Sequence, residues 1–93
     1  MQIQHEDDQR HSQFYIEEDR TKLAEIVYTK KEENIIVIEH TEVDERLRGQ
    51  NVGYQLVEKV VEYARANELK ILPVCSFAKK VLQEKSEFND VLA

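Results

Sequence analysis

The stretch IIVIEHTEVDERLRGQNVGYQLVEKVVEYARA, residues 35–66, places a strand pattern directly before a helix pattern. Residues 35–43 begin with four aliphatic side chains and end in alternation, which predicts a strand that is buried on both faces and then emerges at the sheet edge. From residue 52 to residue 66, apolar residues recur at the spacing of one helical face, which predicts a helix. A strand followed by a helix in this way predicts a crossover to a second, parallel strand.

Shorter strand patterns precede this unit. Residues 14–18 and 22–29 alternate β-branched or aromatic side chains with polar ones, and residues 19–21 lie between them as a turn. This arrangement predicts a β-hairpin. The first dozen residues are mostly polar and acidic, which predicts a short edge strand or a loosely held arm.

A second strand and helix are predicted after the crossover. Asn67 is placed to close the first helix in a left-handed conformation, and residues 70–75 have the composition of a short buried strand. Pro73 cannot donate a ladder hydrogen bond, so sheet pairing should be broken or absent there. Ser76 is the predicted cap of a last helix that reaches about residue 85. Its inward residues would be Phe77, Val81 and Leu82.

The predicted order is strand, strand, strand, helix, strand, helix, in a single domain over residues 1–93. The fold class is α+β, with antiparallel N-terminal strands and one parallel β-α-β crossover in a mixed sheet. Ligands of such sheets bind outside the carboxyl ends of the parallel strands. Those ends are predicted at residues 40–43 and 73–75.

Composition and charge exclude several classes of protein. Leu, Ile, Val and Phe make up 27 of the 93 residues, enough for a folded core. Nineteen acidic residues against 13 Lys and Arg give a net charge of −6, which argues against binding to nucleic acid or to an anionic membrane. We find neither an apolar stretch long enough to span a bilayer nor a secretory signal, and there is a single cysteine. A cytoplasmic protein is expected, and a monomer is favoured.

Both glycines of the chain, Gly49 and Gly53, fall at the predicted start of the first helix. Glycine lets backbone amides approach an anion closely, and the helix N-terminus and Arg48, with Arg46, would add positive charge. This pattern favours a pyrophosphate site. A tight strand-to-helix connection with two solvated arginines fits the same glycines equally well.

The segment RGQNVG at residues 48–53 resembles the acetyl-coenzyme A signature of the GNAT acetyltransferase superfamily, Gln/Arg-x-x-Gly-x-Gly/Ala. Arg48 matches its first position and Gly53 its last, while Asn51 replaces the middle glycine. Asparagine tolerates a positive φ better than most residues, so the loop geometry is retained. Residues 40–43, 73–77 and 86–90 also resemble a minimal single-domain GNAT subgroup, and the similarity covers most of the chain from about residue 14.

The resemblance implies transfer of an acetyl group from acetyl-coenzyme A to an amine. The pantetheine arm would pair with backbone near Glu42 and Val43. Lys79 and Lys80 fit either a contact with the 3′-phosphate or a solvated face. The pyrophosphate would bind the amides of Arg48, Gly49, Gln50, Asn51, Val52 and Gly53. The link at residues 19–21 leaves no room for the helices that usually shape the acceptor site, which favours an open acceptor such as a protein or peptide. A non-enzymatic coenzyme A binding or interaction module is the alternative.

Three residues are the candidates for catalysis. Cys75, at a predicted helix start, fits a nucleophile, an acid for the departing thiolate or a buried structural residue. His40 and Glu42 lie two apart on one strand, hence on one face, where they fit a general base or a cross-strand polar pair. No metal site is expected, because the potential ligands near the N-terminus fit a hydrated acidic arm better. Those residues are His5, Glu6, Asp7, Asp8 and His11.

Overall fold

The computed structural model describes residues 2–8 and 12–93, which form an α+β fold. One sheet contains the five strands in chain order: β1 Gln4–Asp7, β2 Ser12–Glu18, β3 Thr21–Glu32, β4 Ile35–Val43 and β5 Lys70–Pro73. Strands β1 to β4 are antiparallel, and β4 and β5 are parallel. The helices are α1 Val52–Ala66 and α2 Ser76–Glu84, with short 3₁₀ helices at Glu45–Leu47 and Ser86–Val91. The predicted mixed sheet with one parallel crossover is confirmed.

The core lies on one face of the sheet, which we call the inner face. The inward side chains of the strands include Phe14, Ile26, Ile36, Ile38 and Ile71. Helix α1 covers them with its apolar stripe, which consists of Val52, Leu56, Val57, Val60, Val61 and Ala64. The predicted burial of the fourth strand on both faces is wrong, because Ile35 and Val37 point to the opposite, outer face and are only half-buried.

A β-bulge in β4 decides which side chains face which way near its carboxyl end. Ile38 pairs with Tyr28, but His40 pairs with the neighbouring Val27, so Glu39 is an extra residue in the ladder. Because a bulge shifts the alternation by one, Thr41 and Val43 continue the inner face after Ile38. His40 and Glu42 therefore point to the outer face.

The two parallel strands separate at Pro73, where the sequence predicts a break in sheet pairing. Ile38 and Pro73 are the last paired residues of β4 and β5. Beyond them, the amides of Val74 and Cys75 both donate to the carbonyl oxygen of Ile38, at 3.0 and 3.1 Å. Strand β5 thus ends two residues earlier than predicted, and the β5 side of β4 is left unpaired after Ile38.

Helix α1 spans residues 52–66 as predicted, but the capping residues of both helices differ from the prediction by one position. Asn67 has φ −111° and is not left-handed, whereas Glu68 has φ 56°. Helix α1 closes by a Schellman arrangement in which the amide of Leu69 donates to the carbonyl of Ala64, and this places the left-handed residue one position later. At α2 the N-cap is Cys75, so the predicted cap Ser76 is instead the first helical residue.

The N-terminal strand is held more firmly than a solvated arm. The His5 ring stacks on Phe14 with centroids 4.0 Å apart, and its Nε2 lies 2.6 Å from the hydroxyl of Tyr28. The hydroxyl of Tyr63 on α1 donates to Asp7 at 3.0 Å. The predicted edge strand is confirmed, and its residues 4–7 are exposed, but the contacts of His5 and Asp7 show that it is not a loosely held arm. His11 lies outside the described residues.

The C-terminal segment covers the open edge of β5. Leu92 forms a parallel bridge with Ile71, and the amide of Ala93 donates to the Ile71 carbonyl at 2.8 Å. Arg65 of α1 fixes this segment by a bidentate pair with Asp90 at 2.8 and 2.9 Å. Among the described residues, none of the helices is long and apolar enough to cross a membrane.

Two valine truncations test this assignment of the core. Val60→Ala removes two methyl groups from a site with 0% exposure, so the free energy of unfolding should fall by roughly 2 kcal/mol. Val74→Ala, at 65% exposure, should change it by less than about 0.5 kcal/mol. Urea denaturation measures both. Equal losses at the two positions would contradict the assignment of the inner face.

Candidate active site

A cleft of about 630 Å³ lies where β4, the N-terminus of α1 and the start of α2 meet. Strand β4 contributes Thr41 and Val43 to its lining, and α2 contributes Phe77, Lys80, Val81 and Glu84. The loop before α1 and the first turn of that helix supply the remaining wall, made by Leu47, Arg48, Gly49, Asn51, Val52, Gly53 and Tyr54. The cleft lies at the carboxyl ends of the parallel strands, as predicted.

The loop that enters α1 has a backbone suited to binding an anion. Gly49 has φ 82° and Asn51 has φ 62°, which confirms that Asn51 adopts a left-handed conformation. The side chain of Asn51 makes no cap hydrogen bond, and the first helical bond runs from Gln55 to the carbonyl of Asn51. The amides at the start of α1 therefore have no acceptor within the helix, and an anion in the cleft would satisfy them.

The two arginines of this loop have different partners. Arg46 forms a paired contact with Asp44, with Nε 3.0 Å and Nη2 3.2 Å from the two carboxylate oxygens. The Arg46 side chain and its backbone amide lower the pKa of Asp44 to about 2. Arg46 thus stabilises the 3₁₀ turn, whereas Arg48 lines the cleft and is the better candidate for a phosphate contact.

Phe77 was predicted to face the core, and this is wrong, because Ala78 and Leu82 take the buried positions of α2. Phe77 is 41% exposed and lies over the start of α1. A Cβ added to Gly53 would come within 2.8 Å of the Phe77 ring. Gly53 therefore allows the ring to lie against the helix, a constraint that the sequence motif alone does not show.

Three of the predicted coenzyme contacts lie outside the cleft lining: Glu42, Gln50 and Lys79. Lys79 is exposed, and Lys80 lines the cleft in its place. The side chain of Gln50 turns back to donate to the carbonyl of Arg46 at 3.4 Å. Helical spacing explains why Lys80 lines the cleft and Lys79 does not, because Lys80 lies three residues after Phe77 on the same face of α2.

Cys75 lies at the start of α2, half-buried, with its Sγ 3.6 Å from the Thr41 hydroxyl. Burial tends to raise the pKa of this thiol, but hydrogen bonds from the Ala78 amide and from Thr41 outweigh burial and lower it. The site therefore favours the thiolate more than an isolated cysteine would. The three roles considered for Cys75 stay predictions.

His40 and Glu42 share the outer face, as their spacing predicts, together with Glu25 of β3. The Nε2 atom of His40 lies 2.7 Å from Glu25 Oε2, and Lys22 Nζ lies 3.1 Å from Glu25 Oε1. Burial tends to raise the pKa of Glu25, but the hydrogen bonds to His40 and Lys22 outweigh it and lower that pKa. Glu25 was missed in the sequence, because the bulge at Glu39 decides which strand residues face His40.

The ligand atoms of Glu25, His40 and Glu42 lie within 4.8 Å of one another, close enough to surround a cation. This cluster is on the outer face of the sheet. Cys75 and the loop of residues 48–53 lie on the side of the inner face, where Cys75 contacts Thr41. The structure therefore does not place the three catalytic candidates in one cluster. A neighbouring groove, which we call the outer-face groove, shares Thr41, Val43 and Arg48 with the cleft, so the two regions meet at the end of β4. Its other lining residues are Lys22, Leu23, Ala24, Glu25, Glu42 and Asp44.

The sequence profile of the family described as GCN5-related N-acetyl-transferase matches residues 13–91. This chain belongs to the GCN5-related N-acetyltransferase family. The GNAT resemblance noted from residues 48–53 is thus confirmed, and the match extends over residues 13–91 of this chain. No functionally curated protein matches the sequence closely enough to add to this comparison.

Solved structures agree with the family assignment. A GCN5-like N-acetyltransferase candidate from Staphylococcus aureus, solved by NMR, is 41% identical with a TM-score of 0.79, and the match covers 99% of this chain and 87% of that one. Ribosomal-protein-alanine N-acetyltransferase from Brucella melitensis biovar Abortus 2308 has 12% identity and a TM-score of 0.65, over 80% of this chain and 60% of its own. IAA acetyltransferase from Bacillus cereus has 18% identity and a TM-score of 0.62, over 82% and 54%. The last two show the fold alone.

Substitutions in the glycine loop test whether it binds coenzyme A. Gly53→Val should weaken binding by roughly tenfold or more, because its side chain blocks the amides and displaces Phe77. Arg46→Ala should weaken it by less than about threefold, since Arg46 is paired with Asp44, and Arg48→Ala should fall between them. Calorimetric titration measures the affinities, and circular dichroism confirms folding.

The double variant Gly53→Val/Phe77→Ala separates the two causes. Affinity that stays low shows that the backbone amides need the open approach, whereas full recovery assigns the loss to the displaced ring. A folded Gly53→Val protein with the affinity of the parent would place the phosphates elsewhere.

The lowered pKa of Cys75 predicts its reactivity. Alkylation by iodoacetamide should reach half of its maximal rate below pH 9, the ordinary value for a cysteine thiol. Thr41→Val removes one hydrogen bond to the sulfur and should move this midpoint to higher pH. Thr29→Val, a matched change on β3, should leave it in place. A midpoint at or above pH 9 in the parent protein would contradict the assignment.

Proposed function

We propose that this protein transfers an acetyl group from acetyl-coenzyme A to an amine that approaches from the outer face of the sheet. The supporting observation is the separation of β4 and β5 beyond Ile38 and Pro73. One end of the resulting cleft carries the free amides of α1, and Cys75 lies at the start of α2 near Thr41. Acetyl-coenzyme A is the donor that the GNAT family generally uses.

The chain offers a separate surface to each part of the donor. The unpaired side of β4 near Glu42 and Val43 supplies backbone groups for the amides of the pantetheine arm. The amides and positive end of α1, with Arg48, suit the pyrophosphate. Lys80 is better placed than Lys79 for the remaining phosphate, because it lines the cleft.

The donor supplies an activated thioester. The nitrogen of the neutral amine forms a bond to the carbonyl carbon, the carbon–sulfur bond breaks, the amine loses a proton and the coenzyme thiolate gains one. His40 is the proposed base, since the Glu25 carboxylate orients its ring at 2.7 Å on the acceptor side. Cys75 is the proposed acid for the thiolate, because it lies on the donor side with a lowered pKa.

The acceptor side is open. Strands β2 and β3 are joined by a tight turn in which Asp19 and Arg20 have φ 50° and 65°. Both described α-helices pack with the core of the inner face, so neither encloses the outer groove. This openness favours an exposed amine, such as one on a protein or peptide, over a small molecule that is enclosed completely.

Thiol release separates this proposal from coenzyme binding alone. Coenzyme A should raise the melting temperature in either case, and adenosine much less, because a ligand that binds only the folded state stabilises it. Only an acetyltransferase should release free thiol when acetyl-coenzyme A and a primary amine are both supplied. Thermal shift without thiol release across a panel of amines and peptides would leave the binding module as the function.

Variants of Cys75 identify its role in the same assay. Cys75→Ala should lower kcat by about tenfold or more and leave coenzyme A affinity nearly unchanged, as expected for a contact made in the transition state. A hydroxylamine-sensitive mass increase of one acetyl group, lost in Cys75→Ser, would identify a nucleophile instead of an acid. Unchanged turnover with lowered stability would identify a structural residue.

A further inference from the structure

Residues 71–78, ILPVCSFA, carry no charged side chain, although 34% of the whole chain is charged. This segment holds the two exposed large hydrophobic residues of the described chain, Val74 at 65% and Phe77 at 41%. They lie on either side of Cys75 in the sequence. Phe77 lines the cleft and Val74 does not. Along the chain, the exposed apolar residues therefore begin in the cleft and continue past Cys75 to a position outside it.

Val74 extends an apolar strip on the outer face of the sheet. Leu72 is paired with Val37, which points to the outer face, and both side chains are half-buried. Val74 follows Leu72 by two residues, the spacing of side chains on one face of a strand, and its amide still donates to the Ile38 carbonyl at 3.0 Å. We call Val37, Leu72 and Val74 the apolar strip. It starts where β4 and β5 separate and runs back along their paired part.

The described residues leave the end of this strip open. Both α-helices pack with the core of the inner face, and the turn between β2 and β3 is tight. Neither covers Val74, whose exposure is the highest among the large hydrophobic residues. An exposed apolar surface beside a binding site is typical of contact with an apolar part of a ligand. A site for acetyl alone would instead need a side chain that closes the space next to the thioester.

We propose that the apolar strip holds the aliphatic chain of the donor, so that the protein transfers acyl groups longer than acetyl. The inference rests on the proposed transfer, in which Cys75 protonates the departing sulfur, and adds the class of acyl group to it. The acyl carbon bonded to that sulfur then lies next to Val74, and its chain extends along the strip. Leu72 lies two strand positions, or about 7 Å, from Val74, a distance similar to the length of a six-carbon chain. The bond changes are those of acetyl transfer: the amine nitrogen bonds to the carbonyl carbon, the carbon–sulfur bond breaks, the amine loses a proton to the base and the thiolate gains one from the acid.

Unreactive thioethers of coenzyme A test the strip without the chemical step. S-hexyl-coenzyme A should bind on the order of tenfold more tightly than S-ethyl-coenzyme A, because each of four added methylenes gains about twofold from contact on one side. Calorimetric titration measures both affinities. In the thiol-release assay with one amine, hexanoyl-coenzyme A should then have a kcat/KM at least as high as that of acetyl-coenzyme A.

Two substitutions of Val74 should move the hexyl-to-ethyl affinity ratio in opposite directions. Val74→Ser removes apolar surface and should lower the ratio by about two- to fourfold, and Val74→Ile adds a methylene and should raise it by about twofold. The exposure of Val74 means that both variants should fold. Phe77→Ala is the matched control. Because Phe77 lines the cleft, on the coenzyme side of the sulfur, its loss should weaken both thioethers alike and leave the ratio unchanged.

The outcomes separate the two proposals. Equal affinities for the two thioethers, or a ratio that does not respond to the Val74 variants, would overturn the acyl-chain site and leave acetyl transfer standing. A ratio that falls with Phe77→Ala and not with Val74→Ser would place the chain inside the cleft and overturn the site as well. So would a Val74→Ser protein that loses only its preference for pentylamine over ethylamine, because the strip would then bind the acceptor. Tighter binding of the hexyl thioether without thiol release from any acyl donor would overturn acyl transfer, acetyl included, and keep the strip only as a binding site.

Discussion

The loss of pairing between β4 and β5 after Ile38 and Pro73 is the constraint on which the site depends. A proline has no amide hydrogen to continue the ladder, and the next two amides converge on one carbonyl instead. Strands β4 and β5 are paired up to Ile38 and Pro73 and lie apart beyond these residues. A rigid core therefore supports a cleft whose walls are main-chain groups in need of hydrogen-bond partners, an arrangement suited to a long, flexible ligand with amide and phosphate groups.

The extra residue Glu39 also shapes the site, because the bulge assigns neighbouring residues to different sides of the sheet. Thr41 faces the inner side of the sheet and contacts Cys75, whereas His40 and Glu42 face the outer side. Regular alternation would have directed His40 and Glu42 toward the core with Ile38. One strand thus supplies polar side chains to both faces of the sheet within three consecutive residues.

Local patterns predicted most of the elements. The bounds of α1 follow from its apolar period and the glycine loop, and the parallel strand follows from the crossover rule. The sequence did not reveal features that depend on tertiary contacts: the bulge at Glu39, the pairing of Glu25 with His40 and the exposure of Phe77 beside Gly53. Each of these three features depends on which residue of another strand or helix lies opposite. Strand register and helix packing determine that neighbour, and the local sequence pattern does not contain it.

The C-terminal bridge from Leu92 and Ala93 to Ile71 has a consequence for self-association. An exposed strand edge is a template on which further chains can add, and β5 is short and apolar. The bridge occupies that edge with the protein's own backbone, and the Arg65–Asp90 side-chain pair fixes the segment that forms the bridge. The same strand can then remain open to a ligand at one end and closed to intermolecular β-sheet growth along its side.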